Sequence, residues 1–193
     1  MLKNSKLLNY KKIRLDCCTC GEGLDQILFI IIIMYAKRIQ KELSKLVTEQ
    51  EQNQKLGSHA SGVGVDIFLN LPVDNLQTCT CTLIGAKGTL YEGERFLLKF
   101  TFPNDYPLSA PEVVFIPPHV PLHEHIYSNG HICLNILYDG WSAVMNIQSV
   151  CLSIQSMMSS ATEKKRPKDN DTYVLSCSQS PKNTRWFFHD DKV

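Results

Sequence analysis

The sequence lacks both a strong charge of either sign and an apolar stretch long enough to cross a bilayer. Its 20 Lys and Arg and 19 Asp and Glu residues leave a formal net charge of +1 over 193 residues. This balance gives no electrostatic reason for wholesale binding to nucleic acid or to an anionic membrane. The apolar run at 27–36 contains ten residues, whereas a transmembrane helix needs roughly 20. We therefore expect neither a nucleic-acid partner nor a membrane span.

A clear secretory signal is also missing, because Glu22 and Asp25 interrupt the approach from the basic N-terminus to the apolar run. The chain has eight cysteines, but disulfide frameworks are typical of short secreted chains. Here 44% of the residues are hydrophobic, which is the content of an ordinary globular protein. We therefore expect reduced thiols and one globular domain with flanking segments.

The chain divides into three regions by composition. Residues 1–36 form an unassigned N-terminal extension with a basic start, several cysteines and the apolar run. Residues 37–178 carry the helical and strand patterns of a folded core, and residues 179–193 end in an aromatic and acidic tail. Within the extension, Cys17-x-x-Cys20 alone is too weak a signal for a metal site.

The core combines helical and strand patterns. An amphipathic helix of about four turns is predicted from Lys37, with apolar residues at Ile39, Leu43, Leu46 and Val47. Period-2 alternation and composition predict strands at 76–84, 90–102 and 112–116. The type of the apolar run at 65–71 stays undecided. A core-facing helix capped by Asn146 and at most a short helix at 172–177 follow. These elements predict an α+β domain with an antiparallel sheet.

Three imidazoles and one thiol fall within the eleven residues from His123 to Cys133. His123 and His125, like His131 and Cys133, are two residues apart, a spacing that in extended chain projects both side chains to one side. The four could form a tetrahedral zinc site, although the spacing matches none of the usual zinc signatures. Cys133 could instead be a nucleophile with a histidine base, or one more small buried hydrophobe. The local chemistry leaves these alternatives open.

The same segment resembles the active-site signature of ubiquitin-conjugating enzymes. In that family a His-Pro-Asn element precedes a turn, a Gly, and the Ile-Cys-Leu triplet that holds the acceptor cysteine, which is Cys133 here. The resemblance covers roughly residues 37–191, with further motifs at 90–94, 106–107, 110–111, 141–142 and 149–154. The sequence is most similar to the W-type subfamily because of His125 at the usual Asn position, the stretch 127–134, the Lys-Lys-Arg-Pro loop and the Trp-Phe-Phe-His-Asp-Asp tail.

The resemblance implies a ubiquitin-conjugating enzyme fold with an N-terminal helix, an antiparallel meander sheet of about four strands, a central helix and a short C-terminal helix. Residues 37–178 would be its catalytic core. It further implies an aminoacyltransferase that accepts ubiquitin as a thioester on Cys133 from the activating enzyme and transfers it to a substrate amine. No cofactor is expected, because ATP is consumed upstream by the activating enzyme. We also expect a cytoplasmic and nuclear location.

The W-type subfamily is known for attaching ubiquitin to the α-amino group of substrate N-termini and for preferring disordered ones. The resemblance therefore implies four kinds of partner: ubiquitin, the activating enzyme, ubiquitin ligases and protein substrates with disordered N-termini. Two alternatives of other classes remain. One is a non-catalytic ubiquitin-binding scaffold of the same fold, although such variants usually lack the acceptor cysteine. The other is a zinc-binding module that uses His123, His125, His131 and Cys133.

The resemblance also suggests roles for individual residues near Cys133. His125 is the candidate donor to the oxyanion that develops during amine attack, with a loop-holding role as its alternative. His123 is expected to stabilise the loop rather than to act in catalysis. Asn170, in the polar stretch 169–171, lies where the family often presents an acid or Ser to the incoming amine. The run 163–171 as a whole reads as a solvated loop.

Partner-binding positions follow from the same resemblance. Lys37, Arg38 and Lys41 lie on the polar face of the first helix, where the family meets the activating enzyme and ligases, although a merely solvated face would look the same. Leu108 occupies the hydrophobic ligase-contact position, and Ser142 and Ala143 lie in the second ligase-contact loop. Two departures stand out. Glu124 replaces the Pro between the two histidines, and Ala143 replaces a Pro that is common in that loop.

Overall fold

The computed structural model describes residues 24–56, 66–71, 73 and 75–186. In chain order these residues form α1 (Leu24–Leu56), β1 (Ile67–Leu69), β2 (Thr78–Ile84), β3 (Arg95–Thr101), β4 (Glu112–Phe115), α2 (Ile147–Ser159) and α3 (Asn170–Ser176). Short 3₁₀ turns occur at Asn135–Leu137 and Pro181–Asn183. The predicted α+β class, with helices flanking an antiparallel sheet, is confirmed.

Helix α1 is longer than the sequence pattern predicted. It begins at Leu24 rather than at Lys37, so the apolar run and the amphipathic segment form one helix. An unbroken apolar run shows no alternation of apolar and polar residues, so it gives no helical period that could be recognised in the sequence. No Gly or Pro interrupts the chain between Leu24 and Leu56. The predicted apolar face is confirmed at Ile39, Leu43, Leu46 and Val47, which are all buried. No helix among the described residues has the length and apolar content to span a membrane.

The sheet is an antiparallel meander with the strand order β1-β2-β3-β4. The undecided run at 65–71 contributes the short edge strand β1. Alternation in β3 buries Phe96, Leu98 and Phe100, and Leu98 lies opposite Cys81 of β2. The strand predicted at 90–102 begins only at Arg95, because residues 85–94 form the connection from β2. The period-2 pattern was thus correct, whereas the predicted strand began five residues too early and ended one residue too late.

Helix α2 covers the core side of the sheet. Asn146 caps it as predicted: its side chain accepts from the N–H of Ser149, and the Ser149 side chain in turn accepts from the N–H of Asn146. The helix buries its apolar face in the same cluster as the strands, at Ile147, Val150, Cys151, Ile154, Met157 and Met158. Helix α3, in contrast, has no buried residue, and it lies where only a short helix was expected.

Several predictions concern residues beyond the described ranges. The first 23 residues, with Cys17 and Cys20, and the glycine-rich loop after α1 lie outside them. The tail is described only as far as Trp186. The boundaries at residues 36/37 and 178/179 therefore remain predictions from sequence, although α1 runs continuously through the first of them.

Candidate active site

Residues 117–133, here called the cysteine loop, lead from the end of β4 to Cys133. The loop returns beside β4, where the N–H of Phe115 donates to the carbonyl of Gly130 (2.9 Å). Gly130 has φ +91°, and a Cβ there would lie 2.0 Å from the Phe115 carbonyl oxygen. Only glycine can take this position, because other residues would be strained and would collide with β4. The close approach fixes where the chain begins its path to the thiol.

Cys133 is half-buried, whereas Cys79, Cys81 and Cys151 are buried in the core. Its N–H donates to the carbonyl of His125 (2.8 Å), and a β-bridge joins Ile126 to Ile132 just before it. Cys133 is therefore held beside the backbone of His125 by the backbone itself. Unlike those three cysteines, it is not sealed in the core.

His123 is 2% exposed and makes two hydrogen bonds that define its tautomer. Its Nδ1 accepts from the N–H of His125 (3.0 Å), so the ring proton lies on Nε2, which faces the carbonyl of Met157 on α2 (3.1 Å). Burial, and then the nearby His125, lower the pKa of His123 to about 4. The ring is therefore neutral at pH 7, and it ties the cysteine loop to α2 rather than facing a reacting group.

His125 is half-buried, and its ring centroid lies 5.4 Å from that of His123. Backbone hydrogen bonds on both sides fix its main chain: its N–H is bound to His123 and its carbonyl to Cys133. The backbone of the histidine that replaces the family's Asn is thus bonded directly to the backbone of Cys133. The role of His125 as oxyanion donor remains a prediction.

The Lys-Lys-Arg-Pro loop contacts the cysteine loop, so the prediction of a solvated loop at 163–171 was wrong for Arg166. The Arg166 guanidinium is half-buried and donates to the carbonyls of Pro121, Ile126 (3.2 Å) and Val120 (3.1 Å). Next to it, the ammonium of Lys165 lies 3.3 Å from the carboxylate of Glu124. The charge that replaces the family's Pro is therefore paired at the surface.

A cluster of aromatic rings adjoins the thiol, and the sequence patterns did not predict it. The rings of Tyr127 and Tyr173 are 4.0 Å apart, and Trp186 lies 5.4 Å from Tyr173 and 5.3 Å from Tyr138. Burial is the main cause that raises the pKa of each of these three tyrosines, and negative charge on the nearby Cys133 raises it further. The sulfur therefore lies within electrostatic reach of three phenol groups.

Asn170 begins α3 and contacts the cysteine loop. Its Oδ1 accepts from the N–H of Ser128 (2.8 Å), and its neighbour Asp169 accepts from the Tyr127 hydroxyl through both carboxylate oxygens (3.1 and 3.2 Å). The predicted candidate Asn170 is thus brought to the loop that carries Cys133. Its amide oxygen is already engaged there by a backbone donor.

The four residues of the zinc hypothesis do not converge on one point. His131 is buried, and its Nδ1 pairs with the hydroxyl of Tyr173 (2.9 Å), while His123 faces α2. Among the described residues, no group of three His, Cys, Asp or Glu side chains is arranged to hold a metal ion. The geometry therefore gives the zinc alternative no support.

The predicted partner-binding residues lie at the surface near α1. Lys37 and Lys41 are exposed, as are Ser142 and Ala143, and Leu108 is 67% exposed. The exposure of Leu108 is compatible with a ligase contact, and that role remains a prediction.

Arg38 differs from the other partner candidates because its guanidinium is engaged within the chain. It donates to the carbonyl of Met145 (3.0 Å) and, more weakly, to that of Ala143 (3.4 Å), and it pairs with Glu42. Glu42 also accepts from the Tyr106 hydroxyl (2.9 Å) and from the N–H of Ile147 (3.1 Å). Arg38 therefore holds residues 143–145 against α1.

Comparison with known proteins agrees with this arrangement. A sequence model described as "Ubiquitin-conjugating enzyme" matches residues 38–187. The chain belongs to the ubiquitin-conjugating enzyme family. It is 51% identical over 158 residues to the probable ubiquitin-conjugating enzyme E2 16 of Arabidopsis thaliana, covering 81% of this chain and 89% of the relative. It is 48% identical to the ubiquitin-conjugating enzyme E2 W of Caenorhabditis elegans, covering 81% and 96%, so the predicted W-type resemblance is confirmed.

A solved structure of the same family extends the match to three dimensions. The ubiquitin-conjugating enzyme E2 UbcA1 from Agrocybe aegerita is 36% identical and superposes with a TM-score of 0.66, covering 77% of this chain and 98% of that one. The predicted fold is therefore confirmed. As a ubiquitin-conjugating enzyme the chain is a transferase whose family works with ubiquitin, an activating enzyme and ubiquitin ligases.

Proposed function

We propose that this ubiquitin-conjugating enzyme carries ubiquitin as a thioester on Cys133 and transfers it to the α-amino group of substrate N-termini. The observation that carries the proposal is the setting of the thiol. Cys133 is half-buried at the end of a loop held by His123 and Arg166, whereas Cys79, Cys81 and Cys151 are in the core.

The first step is an exchange between two thioesters. The Cys133 thiolate attacks the thioester carbonyl of ubiquitin on the activating enzyme, a Cys133–carbonyl bond forms, and the activating enzyme's cysteine leaves as thiolate. One thioester replaces another, so the step is nearly isoenergetic. It needs no cofactor in this chain, since ATP has been consumed earlier by the activating enzyme.

In the second step a substrate amine attacks the Cys133 thioester. The amine nitrogen bonds to the carbonyl carbon, loses a proton, and the Cys133 sulfur leaves as thiolate. A donor about 3 Å from the developing oxyanion lowers this barrier. His125 is assigned this role, because its backbone is bonded to Cys133 and it occupies the position of the family's Asn.

Amine basicity supports the preference for α-amines. An α-amine with pKa of about 7.7 to 8.0 has a substantial neutral fraction at pH 7, whereas a lysine with pKa of about 10.4 has a neutral fraction of roughly 10⁻³. A lysine therefore needs a group that takes its proton. Of the polar groups in the stretch where the family often presents an acid, Asp169 is engaged with the Tyr127 hydroxyl, and Asn170 carries an amide, which does not take a proton, and is bonded to the N–H of Ser128. This arrangement favours acceptors that need little help with deprotonation.

The remaining assignments follow from the family. The substrates are proteins with disordered N-termini, whose α-amine can reach the thiol without local unfolding. The enzyme works in the cytoplasm and nucleus, where reduced thiols persist. Lys37 and Lys41 contact the activating enzyme, and Leu108 and the loop with Ser142 and Ala143 contact ligases.

The loading step is tested by incubating the protein with activating enzyme, ubiquitin and ATP. The wild type is expected to form a ubiquitin adduct that thiol reagents cleave, and Cys133→Ala is expected to form none. Cys177→Ser is the matched control, because that thiol is also half-buried but follows α3, outside the cysteine loop, and accepts from the Asn129 side-chain amide. An absent wild-type adduct would instead indicate the non-catalytic scaffold.

The acceptor is tested on two versions of one unstructured peptide, one with a free N-terminus and one with an acetylated N-terminus, both containing lysines. Mass spectrometry should find ubiquitin on the free α-amine and little product on the acetylated peptide. Equal modification of lysine in both peptides would contradict the proposed specificity.

A further inference from the structure

We propose that Arg166 is a positioning residue for transfer of ubiquitin from Cys133: its guanidinium holds together the two ends of the turn that carries His123 and His125. The inference rests on the proposed function of Cys133 as the acceptor. It concerns a loop that the sequence pattern predicted to be solvated, and whose contacts are seen only in three dimensions.

The contacts of Arg166 lie on both sides of the turn. Its Nη1 donates to the carbonyl of Pro121 before the two histidines and to that of Ile126 (3.2 Å) after them, while Nη2 donates to Val120 (3.1 Å). One nitrogen thus bridges the ends of a six-residue segment. The planar guanidinium presents several donors in a fixed fork, so a single side chain can serve three carbonyls at once.

The positive charge of Arg166 is stabilised mainly by the dipoles of these three carbonyls. In the part of the chain that the structure describes, no carboxylate lies within 4 Å of its guanidinium, and burial lowers its pKa. A partly desolvated cation keeps its favourable energy only if its donors stay paired. Arg166 and the three carbonyls therefore favour one arrangement of the turn over others.

This contact supplies rigidity at a point where the chain lacks the family's Pro. With Glu124 between the two histidines, the backbone of the turn loses a fixed φ angle. Lys165 pairs with Glu124 on the outside (3.3 Å), but both side chains are about half exposed, and such pairs contribute little. The constraint on the turn therefore comes chiefly from Arg166 on its inner side.

The turn is coupled to the reacting sulfur through the backbone. The carbonyl of His125 accepts from the N–H of Cys133 (2.8 Å), and the N–H of His125 donates to His123 (3.0 Å). A displaced turn would shift the His125 imidazole relative to Cys133. Both steps form an oxyanion at the thioester carbonyl, but the activating enzyme surrounds that carbonyl during loading, whereas this chain must supply the donor during amine attack, so the second step is more sensitive to this shift.

The test separates the two steps. Wild type, Arg166→Gln and Arg166→Lys are loaded with ubiquitin, the activating enzyme is quenched, and discharge is followed at rising concentrations of a peptide with a free N-terminus. We expect loading to be unchanged and the maximal discharge rate of both variants to fall about tenfold, the scale of a sub-ångström misplacement. The peptide concentration for half-maximal rate should stay constant, because the peptide's binding surface is intact.

Lys168→Gln is the matched control, since it removes one positive charge from an exposed position of the same loop, and it should discharge like wild type. Unchanged discharge in Arg166→Gln, or an equal fall in loading and discharge, would overturn the proposal. If Arg166→Gln does not fold, the discharge rate of Arg166→Lys tests the proposal instead. That variant keeps the positive charge and loses only the planar set of guanidinium donors. If the wild type does not transfer ubiquitin to the peptide's α-amine, the proposed specificity is wrong. The effect of Arg166 on discharge is then measured separately, with free lysine as the nucleophile.

Discussion

The sheet and the cysteine loop reach their positions in different ways. In the sheet, β2 and β3 pair along seven residues each, and the alternate residues Phe96, Leu98 and Phe100 enter the core. The cysteine loop has only isolated bridges. It is held instead by side-chain contacts, among them those of Tyr91, Arg166 and Asn170 from elsewhere in the chain and that of the loop's own His123 with α2.

This difference separates stability from activity. Many small contacts together stabilise the sheet, so a substitution there lowers the free energy of unfolding without displacing the thiol. In the cysteine loop a few polar contacts determine where His125 and Cys133 lie. A change there can slow chemistry while the fold remains, and three predictions probe how far this separation holds.

The largest effect on stability is expected in the sheet. Phe100→Ala removes a fully buried ring in β3, and it should lower the free energy of unfolding by about 3 to 5 kcal/mol. Urea denaturation measures this change. Lys99→Ala, at an exposed position of the same strand, should change stability by less than about 0.5 kcal/mol. Similar losses of unfolding free energy in Phe100→Ala and Lys99→Ala would show that the buried face of β3 does not contribute more to stability than its exposed face.

Acid should destabilise the protein through His123. Its pKa is about 6.5 in the unfolded chain and about 4 in the folded protein, so the unfolded chain binds more protons between these values. Stability is therefore complete above about pH 6.5 and is lost towards pH 4, by up to about 1.4 kcal/mol per pH unit. Denaturation of wild type and His123→Gln at pH 7, 6 and 5 measures this slope.

His123→Gln should be less stable than wild type at pH 7 and should lose less on acidification. Some slope should remain, because burial also lowers the pKa of His131. An unchanged slope in the variant would mean that His123 is not the group that couples acid to the cysteine loop.

The smallest expected effect on stability concerns Tyr91. Its ring is buried, and its hydroxyl donates to the carbonyl of Leu122, next to His123. Tyr91→Phe keeps the ring and should cost about 1 kcal/mol. Discharge of ubiquitin should nevertheless slow, because one of the loop's anchors is lost. A thermal melt and the single-turnover discharge assay give the two values. Normal discharge would show that Arg166 and His123 suffice to hold the loop.

Local patterns were enough for most of the fold. Alternation at Phe96, Leu98 and Phe100 identified the face of β3, and Asn146 marked the start of α2. The start of α1 could not be found in this way, since ten consecutive apolar residues are compatible with several periods. The first residue of β3 was missed because the connection from β2 contains Leu90 and Tyr91, which resemble strand residues.

The candidate site was predictable in position but not in its contacts. Motifs around Cys133 located the thiol, and the same motifs identified both histidines. The contacts of Arg166 with Ile126, and of Tyr127 with Asp169, join residues about 40 positions apart. No spacing rule within one element links residues at such distances. An arginine beside two lysines also looks, in sequence, like ordinary surface charge.

The tight approach of Gly130 to β4 affects how mutational data on this enzyme should be read. Since the Phe115 oxygen occupies the space of any side chain at that position, nearly every substitution there should abolish ubiquitin transfer, although Gly130 offers no group to ubiquitin or to an amine. In a saturation screen, loss of activity on substitution of Gly130 would therefore reflect only the lack of space beside β4. Loss of activity on substitution of Arg166 would carry different information, because it would report the loss of the hydrogen bonds to the carbonyls of Val120, Pro121 and Ile126.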